Sequence, residues 1–328
     1  MADDLSELIA FLSDERPNIR TEAAQLVAGL SGTADGVTQL VELSVKLLPP
    51  LLKLLNRGPD GARILALKAL VNLTAEHKFA FSALLHGATE RCVDRIRDAP
   101  HCVSAWPEER ALLLSLLTNL SSTERGASLL LQEGKPALEG FFLGVLLRLA
   151  TAEAGAAAGA AAVTANASQR PLGRRLLAGP DGHAAALAAM LSRPVAAGSD
   201  CDSAAQRGAA CALRNVAVEP ELHEALLREA PQVIPAFLSQ LSGASCADEQ
   251  LRCLCAEGLA ALADSAAGRA ALWAGGAVEA LRKAYVSEEG PEVCAALERA
   301  AHLLITSTSD GEAASVTNEL ASDAAAPS

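Results

Sequence analysis

Four asparagines recur at near-constant spacing inside otherwise apolar stretches: Asn72 in ALVNLTAE, Asn119 in SLLTNLSS, Asn166 in AAVTANAS and Asn215 in CALRNVAV. Intervals of 47, 47 and 49 residues separate them. A side-chain amide carries both a donor and an acceptor, so a series at regular rise supports two chemistries. It can pair with the main chain of an extended partner segment laid along a groove, whatever that segment's side chains. Alternatively, each amide ties down a neighbouring turn, because a buried amide left unpaired costs about 1–3 kcal/mol. Cations cluster beside the same stretches: Arg63 and Lys68, Arg174 and Arg175, Arg207 and Arg214. On an acidic chain such clusters mark a groove for a carboxylate-bearing partner, although solvated helix faces give the same pattern. The four asparagines with Lys68, Arg207 and Arg214 are therefore the candidate partner-binding residues.

Catalytic patterns are missing from the sequence. It contains no Walker loop, G-x-G-x-x-G, H-E-x-x-H or G-x-S-x-G, and each GPDG, at 58–61 and 179–182, reads as a turn between helices with a capping Asp. The six His lack the spacing of a metal site, so neither metal nor cofactor is expected. His77 and His223 open short helices, which suggests capping or surface positions. The eight Cys contain no CxxC and read as reduced, mostly buried thiols. Asn72, Asn119 and Asn166 also satisfy N-x-S/T, which in this setting is incidental to the repeat. Trp106 is expected in a loop just before the Asn119 helix, packed over a helix end rather than standing as an exposed anchor.

The elements that must position these residues follow from the same period. Gly29, Ala261 and Leu303 continue the register in both directions. A helical period of about 40–47 residues is the mark of HEAT and armadillo arrays, whose units bury their apolar faces only against neighbours. Short helices follow the register positions in HKFAFSALL, RGASLLL, RPLGRRLL, ELHEALL and GRAALW. In the last unit a Gly pair precedes a helix over 277–286, and a longer helix runs to about 305 after Glu-Glu-Gly-Pro. Three helices per unit favour the armadillo form. The expectation is an all-α, right-handed superhelical solenoid of six to seven repeats over residues 1–306. Residues 307–328, acidic and without Lys or Arg, are expected to be a disordered tail. TAEAGAAAGAAA, 151–162, reads either as a loose connector or as a thin Ala-packed helix, and 195–206 as an exposed loop.

The formal charge of −12 opposes nucleic acid and anionic membranes as partners, because both are bound through clustered Lys and Arg. The stretch 141–165 is interrupted by Arg148 and Glu153 before it reaches the ~20 apolar residues of a membrane span. MADDLSELIAFL lacks the positive n-region of an export signal, so a cytoplasmic location is expected, with the nucleus open as a second one.

Importin-type armadillo proteins pair an Asn ladder with a Trp four residues earlier; here Lys68, Ser115, Ala162 and Cys211 stand in those places. That weakens the alternative of a general armadillo scaffold or transport receptor for an extended nuclear signal. ELIAFLSDERPNIRTEAAQLVAGLSG, ALKALVNLTAE, SAWPEERALLLSLLTNLSS, QRGAACALRNVAVEPELHEALL and the C-terminal LRCLCAEGLAALADSAAGRAALWAGGAVEALRKAYVSEEGPEVCAALERAAHLLI together resemble the Hgh-one homologue family over most of residues 5–306. The resemblance implies a non-enzymatic armadillo-type adaptor. Such an adaptor assists the folding of translation elongation factor two with the cytosolic chaperonin and the ninety-kilodalton heat-shock chaperone system. The family's longer acidic segment before its last repeat is replaced here by SQLSGASCADEQ, 239–250.

Overall fold

A computed structural model describes residues 2–58, 60–98, 104–194, 200–241 and 246–306. The expected tail, 307–328, and His101 and Cys102 lie outside the described residues, as does the side chain of Asp60. Among the described residues every regular element is helical, and no helix is long and apolar enough to cross a membrane.

Two compact units divide the chain, residues 1–170 and residues from Pro171 onward. The first opens with α1 (Ala2–Phe11) and α2 (Pro17–Ser31), then holds three three-helix repeats: α3 (Ala34–Glu42), α4 (Ser44–Arg57) and α5 (Asp60–Leu73); α6 (His77–Leu85), α7 (Ala88–Asp98) and α8 (Trp106–Ser121); α9 (Glu124–Leu131), α10 (Phe141–Ala152) and α11 (Ala157–Ala167). The second unit holds three more: α12 (Pro171–Ala178), α13 (His183–Leu191) and α14 (Asp200–Ala217); α15 (His223–Glu229), α16 (Val233–Ser239) and α17 (Glu249–Leu262); α18 (Ala266–Ala274), α19 (Ala277–Ser287) and α20 (Pro291–Thr306). Third helices stack on third helices, α2 on α5, α5 on α8 and α8 on α11 in one unit, and α14 on α17 on α20 in the other. Each repeat thereby buries its apolar stripe against the next.

Local chemistry explains the punctuation. Thr33, Thr123 and Ser265 cap α3, α9 and α18, each hydroxyl accepting from the N–H of a glycine three residues on, Gly36, Gly126 and Gly268. At Gly126 a Cβ would stand 1.8 Å from the Leu120 carbonyl oxygen, so the third helix comes too close to the start of the next repeat for any side chain. The stretch over 151–162 resolves in favour of the thin helix. A 3₁₀ turn, Ala154–Ala156, leads into α11, whose Ala157, Ala160, Ala161 and Ala167 are buried. A Cβ on Gly159 would lie 2.6 Å from that of Leu114, and this close approach of α8 is what excludes larger residues.

Two expectations are corrected. Of the loop expected over 195–206, residues 195–199 lie outside the described residues, and 200–206 are not loop but the first turns of α14, since Ala205 and Gln206 are buried and Gln206 donates to the carbonyls of Leu191 and Arg193. Trp106 is the first residue of α8 rather than a loop residue. It is 3% exposed and donates its indole N–H to Glu153.

Candidate functional site

The asparagines lie one helical turn or less from the ends of third helices, and the partners of Asn72, Asn119 and Asn166 lie at the end of the third helix one repeat earlier. Asn72 Nδ2 donates to Ser31 Oγ at 3.2 Å. Asn119 Nδ2 donates to the Val71 carbonyl at 2.9 Å and to Thr74 Oγ1 at 3.2 Å. Asn166 Nδ2 repeats the pattern on the Thr118 carbonyl at 3.1 Å and Ser121 Oγ at 3.0 Å. The hydroxyl two residues after one Asn thus accepts the next repeat's amide, so the N-x-S/T triplets are not incidental to the repeat. Asn and hydroxyl are the donor and acceptor halves of one inter-repeat bond.

This use consumes only the N–H₂ end of the amide. Among the described residues the Oδ1 atoms of Asn72, Asn119 and Asn166 accept no hydrogen bond, with Asn72 exposed and the other two half-buried. Ala111 and Ser115 on α8 are exposed beside Asn119, and Ala158 and Ala162 on α11 are half-buried beside Asn166. The face is therefore shallow-walled, with bare carbonyl oxygens at repeat intervals. Asn215 differs, because its Oδ1 already receives Arg214 Nη1 at 2.9 Å and its Nδ2 lies 3.9 Å from Cys211 Sγ.

The three cations singled out in sequence stand beside acids of the following repeat. Lys68 Nζ is 2.8 Å from Glu108, Arg214 is 2.9 Å from Glu257, and Arg207 pairs with Asp248. The same device recurs in Arg110 with Glu153 and Arg174 with Glu219. Arg252 holds Glu288 through two bonds, at 2.7 and 2.9 Å, with the side chains only 12% and 2% exposed. That guanidinium, together with the N–H groups of Gly290 and Glu289, keeps the Glu288 carboxyl below its ordinary range. In the first unit Glu109, 3% exposed, accepts from Arg95 at 2.5 and 3.0 Å and lies 3.5 Å from Arg63.

His223 is the residue whose place the sequence misled. It opens α15, but instead of lying at the surface it is fully buried, with Nε2 donating to the Ala217 carbonyl at 2.7 Å and Nδ1 2.7 Å from Ser265 Oγ. The carbonyl can only accept, so the ring is held with its proton on Nε2, and Ser265 both caps α18 and binds the imidazole. His77 is exposed as expected. The thiols depart from the mostly buried expectation: Cys92, Cys246 and Cys255 are buried, whereas Cys201 is exposed and Cys211, Cys253 and Cys294 are half-buried. Burial pushes the pKa of Cys92, Cys211, Cys246, Cys253, Cys255 and Cys294 upward, which leaves them as thiols and poor nucleophiles at neutral pH. Among the described residues no group of three His, Cys, Asp or Glu is placed to hold a metal ion.

No protein-family model and no curated protein sequence matches the chain. Its backbone is similar to a computationally designed armadillo repeat protein for modular peptide recognition, with TM-score 0.63 and 20% identity over 78% of this chain and 99% of that one. It is also similar to a chain solved in work on a phosphorylation switch that controls the interaction between cadherin and beta-catenin, with TM-score 0.70 and 19% identity. That match covers 90% of this chain and 60% of the other. With the three-helix repeats described above, these likenesses define the class: the chain is an all-α, armadillo-like solenoid.

Proposed function

We propose that the protein is a non-enzymatic adaptor that holds an extended segment of a client protein along the third helices of its repeats. By the resemblance of its sequence to the Hgh-one homologues, the client is translation elongation factor two. The cytosolic chaperonin and the ninety-kilodalton heat-shock chaperone system are then its working partners in the cytoplasm. The observation that carries this reading is the pair Asn119 and Asn166, each with Nδ2 spent on the preceding repeat and Oδ1 left to accept. Neighbouring packed helices lie about 8–10 Å apart, the length of two to three residues of extended chain. Main-chain N–H groups of such a chain can therefore meet successive amide oxygens without any demand on its side chains. The protein and peptide recognition attached to similar folds supports the general role.

Calorimetric titration with purified elongation factor two tests the client, and Ser115→Phe tests the face. Ser115 is exposed, so the substitution leaves the fold intact while filling the space between the asparagines. Saturable binding that weakens about tenfold or more, equivalent to ~1.4 kcal/mol, is the expected result. No binding by the folded protein would remove elongation factor two as the client, and binding indifferent to Ser115→Phe would move the site off this face. Micromolar or tighter capture of a basic nuclear-signal peptide would favour the transport-receptor alternative instead.

A further inference from the structure

The long third helices spend their cations on neighbouring repeats, and this directs attention to cations that remain uncommitted. A pocket of about 350 Å³ in the first unit is lined by Pro49, Leu52, Lys53, Asn56, Arg57, His86 and Arg91. It collects four basic side chains and no carboxylate. Lys53, Arg57 and Arg91 enter no ion pair among the described residues, in contrast to Lys68, Arg207 and Arg214. The pocket belongs to second helices, α4 and α7, and to the turn before α7, so it is a different surface from the asparagine face.

Sequence accounts for the excess. The segment SVKLLPPLLKLLNR that forms α4 contains no Asp or Glu. Its Leu47, Leu48, Leu51, Leu52, Leu54 and Leu55 face the core, which leaves Lys46, Lys53 and Arg57 on one exposed stripe at i, i+7 and i+11. Pro49 and Pro50 lie within that helix and lack N–H groups, so they free carbonyl oxygens a turn earlier without adding charge. Further along α7, the carboxylates of Asp94 and Asp98 are paired with Arg97. His86 donates Nδ1–H to the Ser82 carbonyl at 2.8 Å, which turns Nε2 outward. Exposed cations with no carboxylate partner repel one another, and an anionic ligand lowers that repulsion.

We propose that this pocket is a second docking surface, which takes an acidic, Glu- or Asp-rich segment of a protein partner. The exposed, linear placement of Lys46, Lys53 and Arg57 matches a run of carboxylates rather than a single phosphate, which is held by converging backbone N–H groups. No Phe, Tyr or Trp lines the pocket, and the chain's overall charge opposes a polyanion the size of a nucleic acid. Pro49 and Leu52 supply an apolar floor for the stems of the acidic residues.

Fluorescence anisotropy with the full chain and a labelled deca-glutamate peptide, beside a deca-glutamine control, is the test. Binding of the glutamate peptide alone is expected, weakening as salt rises. Lys53→Glu with Arg57→Glu, both at exposed positions, should weaken it by at least about tenfold with an unchanged melting curve. Adding Arg91→Glu should abolish it, whereas Arg299→Glu, at an exposed position on α20, should leave it intact. The proposal is overturned by absence of binding to the wild-type chain, by equal binding to both peptides, or by wild-type affinity in the Lys53/Arg57 double variant. Tighter binding of a single-stranded oligonucleotide of equal charge would overturn it as well. Ser115→Phe is not expected to alter this binding, which separates the outcome from that of the asparagine face.

Discussion

At the scale of single residues, the asparagine amides serve two neighbours with two ends. Asn119→Ala removes the bonds to the Val71 carbonyl and Thr74 Oγ1, and at about 0.5–1.5 kcal/mol per bond the expected loss of stability is about 1–3 kcal/mol by denaturant titration. A double-mutant cycle with Thr74→Val should return a coupling of about 0.5–1.5 kcal/mol, and none would mean that the hydroxyl does not take the amide. The buried Arg252–Glu288 pair makes a pH prediction. Its carboxyl is held below the ordinary value of 4.5, so the folded chain binds that proton less readily than the unfolded one. The stabilisation is complete above pH 4.5 and disappears as pH falls through the depressed folded value. Glu288→Ala should cost about 1.5–3 kcal/mol at neutral pH, since it removes the charge-assisted bonds from Arg252 and leaves that guanidinium only the Cys246 carbonyl, and should flatten the acid limb of the stability profile. The asparagine positions and their dual chemistry were legible in sequence because they repeat. Their acceptors were not, because each lies 41 to 48 residues away and becomes a neighbour only when repeats stack. His223 went astray for the same reason, its partner Ser265 being 42 residues distant.

At the scale of elements, the joints before α3, α9 and α18 rest on a Ser or Thr cap and a glycine three residues on. Thr123→Ala should lower stability by about 1 kcal/mol through the lost cap of α9. Gly126→Ala should cost about 1–3 kcal/mol, because its Cβ meets backbone, which has little room to yield. Equal melting temperatures for Gly126→Ala and the wild-type chain would contradict the close approach of α8 to α9. The five short helices were readable because a register position and an apolar run coincide at each, with a Thr or Ser cap added at α9 and α18. α4 is harder to read, since Pro49-Pro50 signals a break that the surrounding leucines override by burial. The first turns of α14 were hidden by DCDSAAQ, which is polar enough for a loop until Gln206 finds the carbonyls of Leu191 and Arg193.

At the scale of the whole molecule, a period near 47 residues dictates a chain whose bonds run mostly from one repeat to the next. Substitutions in separate units that share no partner should then act independently. Asn119→Ala and Glu288→Ala are expected to add within about 0.3–0.5 kcal/mol, and a larger discrepancy would show coupling beyond nearest neighbours. The helical, repeating architecture was legible because the period shows in the spacing of residues along the chain, whereas the pocket between α4 and α7 was not, because it joins second helices that carry no shared motif. The central claim is that the third-helix face carries a client. Its most direct measurement places a photo-cross-linking amino acid at Ser115 and, as control, at exposed Leu85 on α6, in complex with purified elongation factor two. Cross-links from Ser115 to one contiguous client segment, with none from Leu85, are predicted. A formed complex that cross-links from Leu85 and not from Ser115 would contradict the account.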